Sequence, residues 1–386
     1  MIRRHLDNGI DFIYIPIKTF YNSVSVGVRS GYSYDPDKHT GLTHLYEHVF
    51  VAMLSKLNKY SQKIEKYGFS QNASTYNGAM IVYFEQYKSG LINIFNLFKK
   101  NIEKFMVDGK DFNIEKESVK NETSDWNKNY DDVVFNFVKR RGFSLPRNKR
   151  VDTQRSVDEL NLFDLLRWHN YVFSSGNVVV VLYGKVSNKE YTKIKNLLSS
   201  IEIPQVESPK KFYAGKYNTI HRRHDTGVLI FNVKNPTFKD YLCERIYKNT
   251  MVDYDDSLLF NFVRNKERLS YGADYNEIDG VGERVFYFSF TFKDKSALRQ
   301  TMKELKYPTR VFKQDRTLFE KGKKRALIEF YKDASNQSDF AVDLAYYYLL
   351  YGEKLDMRKI NKYLSSLKYN DYEKWLKKLT YKKLIV

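Results

Sequence analysis

The sequence predicts an α+β protein of two similar domains, each a mixed or antiparallel β-sheet flanked by long α-helices. Three observations carry that expectation. Short runs of period-two apolar alternation recur in both halves of the chain. Amphipathic runs of helical period lie between them. A stretch with two prolines and a charge cluster, Ile201–Tyr217, separates two halves that repeat the same order of strands and helices. The boundaries so read are 1–202 for the first domain, 203–217 for the linker and 218–386 for the second domain. A length of 386 residues suits two domains better than one core. Hydrophobic residues at 42% and aromatics at 16% supply packed interiors and exclude a disordered chain.

In order, FIYIPI and VSVGV alternate between Ile10 and Val28 and read as the two strands of a hairpin. Gly31–Thr40 is a turn-rich loop, and a helix follows from Leu42 to Leu57, with a second helical segment at Tyr60–Tyr67. The run from Ser70 to Tyr87 reads as a strand pair turning at Asn77–Gly78. Leu91–Phe105 has helical periodicity, and a longer helix is expected from Phe112 to about Arg141. Ser156-x-x-Glu159 has the form of a capping box opening a helix to Tyr171. VVVVLYG, Val178–Gly184, is apolar throughout and predicts a strand buried on both faces, followed by a helix at Asn188–Leu198. The second half reads as a strand at Gly227–Val233, helices near Tyr241–Val252 and Ser257–Glu267, and strands at Tyr271–Asn276 and Arg284–Phe292. Helices near Lys295–Leu305, Gln314–Lys332 and Ser338–Tyr351 come next, and short helices finish the chain.

A single cysteine, Cys243, excludes an internal disulfide. No apolar run approaches the length of a membrane span, and the polar residues Asp7, Asn8 and Asp11 argue against a signal peptide, so a cytoplasmic protein is expected. The net charge of +19 would favour acidic partners. Yet the lysines alternate with Glu and Asp along helices, with no arginine-rich arm, so no nucleic-acid partner is expected.

Chemistry concentrates in GLTHLYEHVF. His44, Glu47 and His48 form H-x-x-E-H, and on a helix the two imidazoles lie one turn apart on one face. That pair can grip one Zn²⁺ and leave positions for another ligand and a water, with Glu47 beside the water as a general base. The plain alternative is a solvated helix face, but histidine is scarce here, with seven in the chain.

The opening LDNGIDFIYIP, then VSVGVRSG, then GLTHLYEH resembles, in order and spacing, the pitrilysin (M16) family of zinc metallopeptidases, and the likeness extends over most of the chain. The resemblance implies a LuxS/M16 metallopeptidase-like half-clamshell of the small two-domain type. It also implies a third ligand, Glu122, 74 residues past His48, and a carboxylate seven residues before it, Glu115, that orients the site. Glu103 and Glu117 are lesser alternatives for the third ligand. Asn72-Ala73-Ser74-Thr75 is similar to the family's strand segment on which peptide substrates pair. Arg264 and Tyr271 have the spacing of its R/Y pair, which contacts substrate and polarises the scissile carbonyl, although Asn265 and Arg268 depart from the usual intervening residues.

The same likeness implies one zinc per chain, hydrolysis of short unfolded peptides, and a paired assembly in which Arg264 and Tyr271 act on the zinc half of another chain. A homodimer is expected because both elements are present, with a heterodimer with a second M16-like chain left open. Small members include peptide scavengers and processors of bacteriocin-type peptides. The alternative is an idle subunit that binds peptide or assists assembly.

Overall fold

The structure is a computed structural model and describes residues 1–61, 69–87, 90–126, 130–204, 226–266, 273–292, 295–305 and 312–386. In chain order the elements begin β1 (Ile2–His5), β2 (Asp11–Pro16), β3 (Tyr21–Val28), α1 (Leu42–Ser61), β4 (Phe69–Thr75) and β5 (Met80–Tyr87). There follow α2 (Leu91–Glu103), α3 (Gly109–Asp125), α4 (Tyr130–Gly142), α5 (Gln154–Asp158), α6 (Leu162–Val172), β6 (Val178–Gly184) and α7 (Asn188–Ser199). Beyond these are β7 (Thr226–Lys234), α8 (Phe238–Met251), α9 (Leu258–Asn261), β8 (Asp274–Gly280), β9 (Glu283–Thr291) and α10 (Lys295–Glu304). The chain ends with α11 (Arg316–Asp333), α12 (Gln337–Tyr351), α13 (Met357–Ser366), α14 (Tyr369–Lys378) and β10 (Thr380–Ile385). The fold is α+β in two units, and among the described residues no helix is long and apolar enough to cross a membrane.

The first unit draws on Met1–Asn129, Arg150–Ala214 and Asp333–Asp356. Its sheet is mixed, in the order β1-β2-β6-β3-β5-β4. The apolar run of β6 explains its central place: every residue in it is buried, so both faces need cover. One face meets the core built by α1, α2, α6 and α7. Against the strands also lies α12, apolar nearly all round. Its approach depends on Gly27, where an added Cβ would stand 2.8 Å from Leu349.

The second unit draws on Tyr130–Lys149, Gly215–Lys332 and Met357–Val386, around an antiparallel sheet in the order β10-β7-β9-β8. Val134 and Val138 of α4 pack with Val228, Ile230 and Val285. Arg284 is buried there among carboxylates: Glu244 at 2.7 Å, Glu277 at 2.8 Å, and Asp279.

Several expectations change. FIYIPI and VSVGV are not a hairpin, because β6 inserts between them, parallel to β2 and antiparallel to β3. Alternation identified both strands but carries no information about partners. The long helix after Phe112 is two helices, α3 and α4, which join different units. Asp131 and Asp132 lie in the first turn of α4, where carboxylates favour a helix start. The capping box is Thr153 with Ser156, bonded reciprocally, whereas Glu159 pairs with Arg155. The helix expected at Ser257–Glu267 is short α9 followed by a wide π-helical turn, Phe262–Lys266. The chain ends in a strand paired with β7. Most of Tyr60–Tyr67 and of the linker 203–217 lies outside the described residues.

Candidate metal centre

The site is built on α1, and its first turn is fixed before any chemistry is considered. Asp35 accepts hydrogen bonds from the backbone N–H of Gly41 (2.7 Å) and Thr43 (2.9 Å) and from the Thr43 hydroxyl (2.6 Å). These satisfy donors that the start of a helix leaves unpaired. Burial pushes the Asp35 carboxyl up to about 6, against the pull of those bonds. Gly41 takes a left-handed conformation, φ 93°, that other residues rarely adopt. Deeper in the helix, Leu45, Tyr46, Val49 and Phe50 are fully buried. His44, Glu47 and His48 are thereby turned to the opposite side, into a cleft of about 570 Å³.

In that cleft the two imidazole rings stand 5.0 Å apart and nearly perpendicular. Glu122 of α3 spans them, one oxygen 3.4 Å from Nε2 of His44 and the other 3.4 Å from Nε2 of His48. The ligating atoms of these three residues lie within 4.8 Å of one another, a group that can hold a metal ion. Behind His48, Glu115 comes to 3.6 Å of Nδ1. Glu47 accepts a 2.6 Å hydrogen bond from the Thr75 hydroxyl on β4. Asn72, Ala73 and Ser74 line the same cleft, and β4 is the outer strand of its sheet.

The electrostatics show strongly paired donors. Burial opposes charge on His44, but the hydrogen bonds to Asp152 and Glu122 outweigh it and raise its pKa to about 10. The same two histidines, as hydrogen-bond partners, hold the Glu122 carboxyl far below the usual carboxylate range.

Nine of the eleven residues singled out in the sequence come together in this cleft: His44, Glu47, His48, Asn72, Ala73, Ser74, Thr75, Glu115 and Glu122. Arg264 belongs to the second unit, where it is exposed with its guanidinium 5.3 Å from the centre of the Phe260 ring. Tyr271 lies outside the described residues. Three side chains beside His44 carry no motif of their own: Tyr32, edge-on to its ring with centres 6.0 Å apart, Trp126 and Asp152. Trp126 stacks on His44, ring centres 5.4 Å apart and planes at 14°; it sits one helical turn past Glu122, so its spacing was a usable signal. Asp152 meets Nδ1 of His44 at 2.8 Å from a loop 108 residues away, which no local pattern announces.

The comparisons agree with the geometry. The sequence model described as insulinase, peptidase family M16, matches residues 18–151. The model described as peptidase M16 inactive domain matches residues 159–317. No curated protein matches at a significant level. Among solved structures, a protease from Helicobacter pylori superimposes with TM-score 0.79 at 16% identity, covering 98% of this chain and 96% of that one. A peptidase M16 inactive domain from Pseudomonas fluorescens gives TM-score 0.77 at 14% identity, covering 99% and 97%. Complex III2 from Candida albicans gives 0.73 at 14% identity, covering 99% and 95%. At these identities the structural likeness is one of fold. With both sequence models matched in succession over most of its length, the chain belongs to peptidase family M16.

Proposed function

We propose that this protein is a zinc-dependent metalloendopeptidase that hydrolyses short unfolded peptides, in processing or scavenging, bacteriocin-type peptides included. The observation that carries the reading is the pair of 3.4 Å separations between Glu122 and the Nε2 atoms of His44 and His48. One ligand atom from each of the three residues lies within 4.8 Å of the others, so together they could hold one zinc ion. Two imidazoles and a carboxylate leave a fourth position for water, the mark of a catalytic site. When bound, zinc supplies Lewis acidity to that water and to the scissile carbonyl.

The chain's own residues do the rest. Glu47, with one oxygen held by Thr75, takes the water's proton at the other and passes it to the leaving amine. The edge of β4 offers main-chain donors and acceptors to an extended peptide, which holds substrate without reading its side chains. Glu115 helps to orient His48. Arg264 and Tyr271 supply a cation and a phenol donor to the developing oxyanion, acting from the partner in a homodimer, or in a heterodimer with a second M16-like chain. The compartment proposed is the cytoplasm.

The test is metal analysis of protein purified without chelator, together with digestion of a peptide library read by mass spectrometry. About one zinc per chain and loss of cleavage in Glu47→Gln are expected. Cleavage that persists unchanged in Glu47→Gln overturns the mechanism, and a wild-type chain that binds zinc but cuts nothing points to the idle subunit. For action in trans, mixing Glu47→Gln and Arg264→Ala chains should restore cleavage; failure after demonstrated subunit exchange counts against it.

A further inference from the structure

We infer that Asp152 is a positioning residue for His44, fixing the tautomer and orientation in which that imidazole presents Nε2 to a metal; this rests on the zinc reading of His44, His48 and Glu122. Asp152 Oδ2 lies 2.8 Å from His44 Nδ1, and both side chains are buried, 1% and 7% exposed. A carboxylate can only accept in such a bond, so Nδ1 carries a proton, and Nε2, which faces Glu122 and the cleft, is the nitrogen left to take a metal once its own proton leaves. The arrangement is stronger than that behind His48, where Glu115 stands 3.6 Å from Nδ1, beyond a normal hydrogen bond.

The surroundings show that Asp152 is held in place for this contact. Two residues earlier, buried Arg150 donates to the Asp35 carbonyl and to the Asp37 carboxylate, tying this loop to the one that caps α1. One residue later, Thr153 caps α5. Gly41 makes the space: a Cβ there would stand 2.9 Å from Cβ of Asp152. The other oxygen, Oδ1, is buried and meets no hydrogen-bond donor among the described residues. His44 is thus the side chain that Asp152 meets at hydrogen-bond distance. Burying a carboxylate with a single partner is costly. The same carboxylate raises the basicity of the imidazole it touches, which strengthens Nε2 as a ligand.

The experiment uses the full-length chain, stripped of metal, titrated with Zn²⁺ against a chromophoric chelator, and compares wild type with Asp152→Asn and Asp152→Ala. Thermal melting of the metal-free proteins and the visible absorption of their Co²⁺ forms accompany it. Removal of such a partner weakens metal binding by about 10- to 100-fold. The larger loss is expected for Ala, a partial rescue for Asn, which can still accept from Nδ1, and an altered Co²⁺ band for both. Metal-free melting of Asp152→Asn should fall only slightly, because Asn still accepts from Nδ1 and His44 can give up its proton when the carboxylate is gone; if the Ala variant fails to fold, Asn decides. Affinities within about twofold of wild type with superimposable Co²⁺ spectra overturn the inference, as does a loss of affinity matched by an equal loss of metal-free stability. If wild type itself takes up no zinc, it is the metal site that falls.

Discussion

Replacing Thr75 by Val removes one oxygen and keeps the β-branched shape that β4 requires opposite Met80. The lost contact is the 2.6 Å hydrogen bond to Glu47. A hydrogen bond to a charged group is worth about 1.5–3 kcal/mol. Glu47 is partly exposed, so water recovers some of this, and about 1–2 kcal/mol of orientation is lost. At 1.36 kcal/mol per factor of ten, kcat falls by about 5- to 30-fold. The strand's main chain is unchanged, so KM should hardly move, and neither should zinc content. The assay is steady-state cleavage of an internally quenched unfolded peptide, with bound metal measured on the same samples. If Thr75 served only to bind substrate, as its place in the Asn72–Thr75 segment first suggests, KM would rise at constant kcat. That outcome would refute the reasoning. A double variant with Glu47→Gln sharpens the test, because Thr75→Val should cost almost nothing further once the base is gone.

Three other outcomes concern charge and pH. Burial lowers the pKa of His169 to about 4, and its Nε2–H donates to the Ile102 carbonyl while Nδ1 accepts from Tyr46. Below pH 6.5 the unfolded chain therefore binds a proton that the folded one refuses, so stability falls as pH drops from 6.5 to 4, by roughly 3 kcal/mol from this group. Urea unfolding should show His169→Gln flattening that slope; identical slopes would contradict it. Arg284→Met strands Glu244, Glu277 and Asp279 without their shared cation and should cost about 3–5 kcal/mol at pH 8, and less at pH 5, where carboxylates can take up protons. A loss under about 1 kcal/mol in urea melts would show that the cluster is compensated some other way. Finally, His44 is protonated up to about pH 10 in the metal-free chain. Zinc binding at pH 7 should then release about one proton, seen by calorimetry in buffers of different ionisation heat, and affinity should rise with pH.

What the sequence disclosed depends on the range over which each signal acts. His44, Glu47 and His48 were legible because helical spacing is local, and the buried Leu45, Tyr46, Val49 and Phe50 occupy the complementary positions of the same helix. Glu122 was found through family spacing, and α3 brings it to both imidazoles. Strand identity was legible in VVVVLYG, but strand partnership was not, so β6 entering between β2 and β3 had no local precursor. The outer strands β1 and β10 escaped because much of each is exposed and polar, which leaves no apolar alternation to read. Asp152 is the hardest case. Its role depends on two loops being tied together by Arg150 and on the room left by Gly41, none of which is periodic.

The same contrast explains why the site can be exact in geometry although its parts come from distant segments. The donor face of α1 is set by the opposite face, whose side chains are locked in the core, and by Asp35, which caps the start of the helix at a fixed residue. On the core side Tyr46 bonds to His169, so a polar contact as well as packing resists rotation of the helix about its axis. Rotation by one residue would swing His44 and His48 through about 100° and away from Glu122. Such a turn would also expose Leu45 or Val49 and bury a charged side chain, a cost of several kcal/mol. Precision at the metal-binding face is therefore enforced from the apolar face of the same helix. Substitutions there, far from the chemistry, should loosen the donors before they unfold the chain.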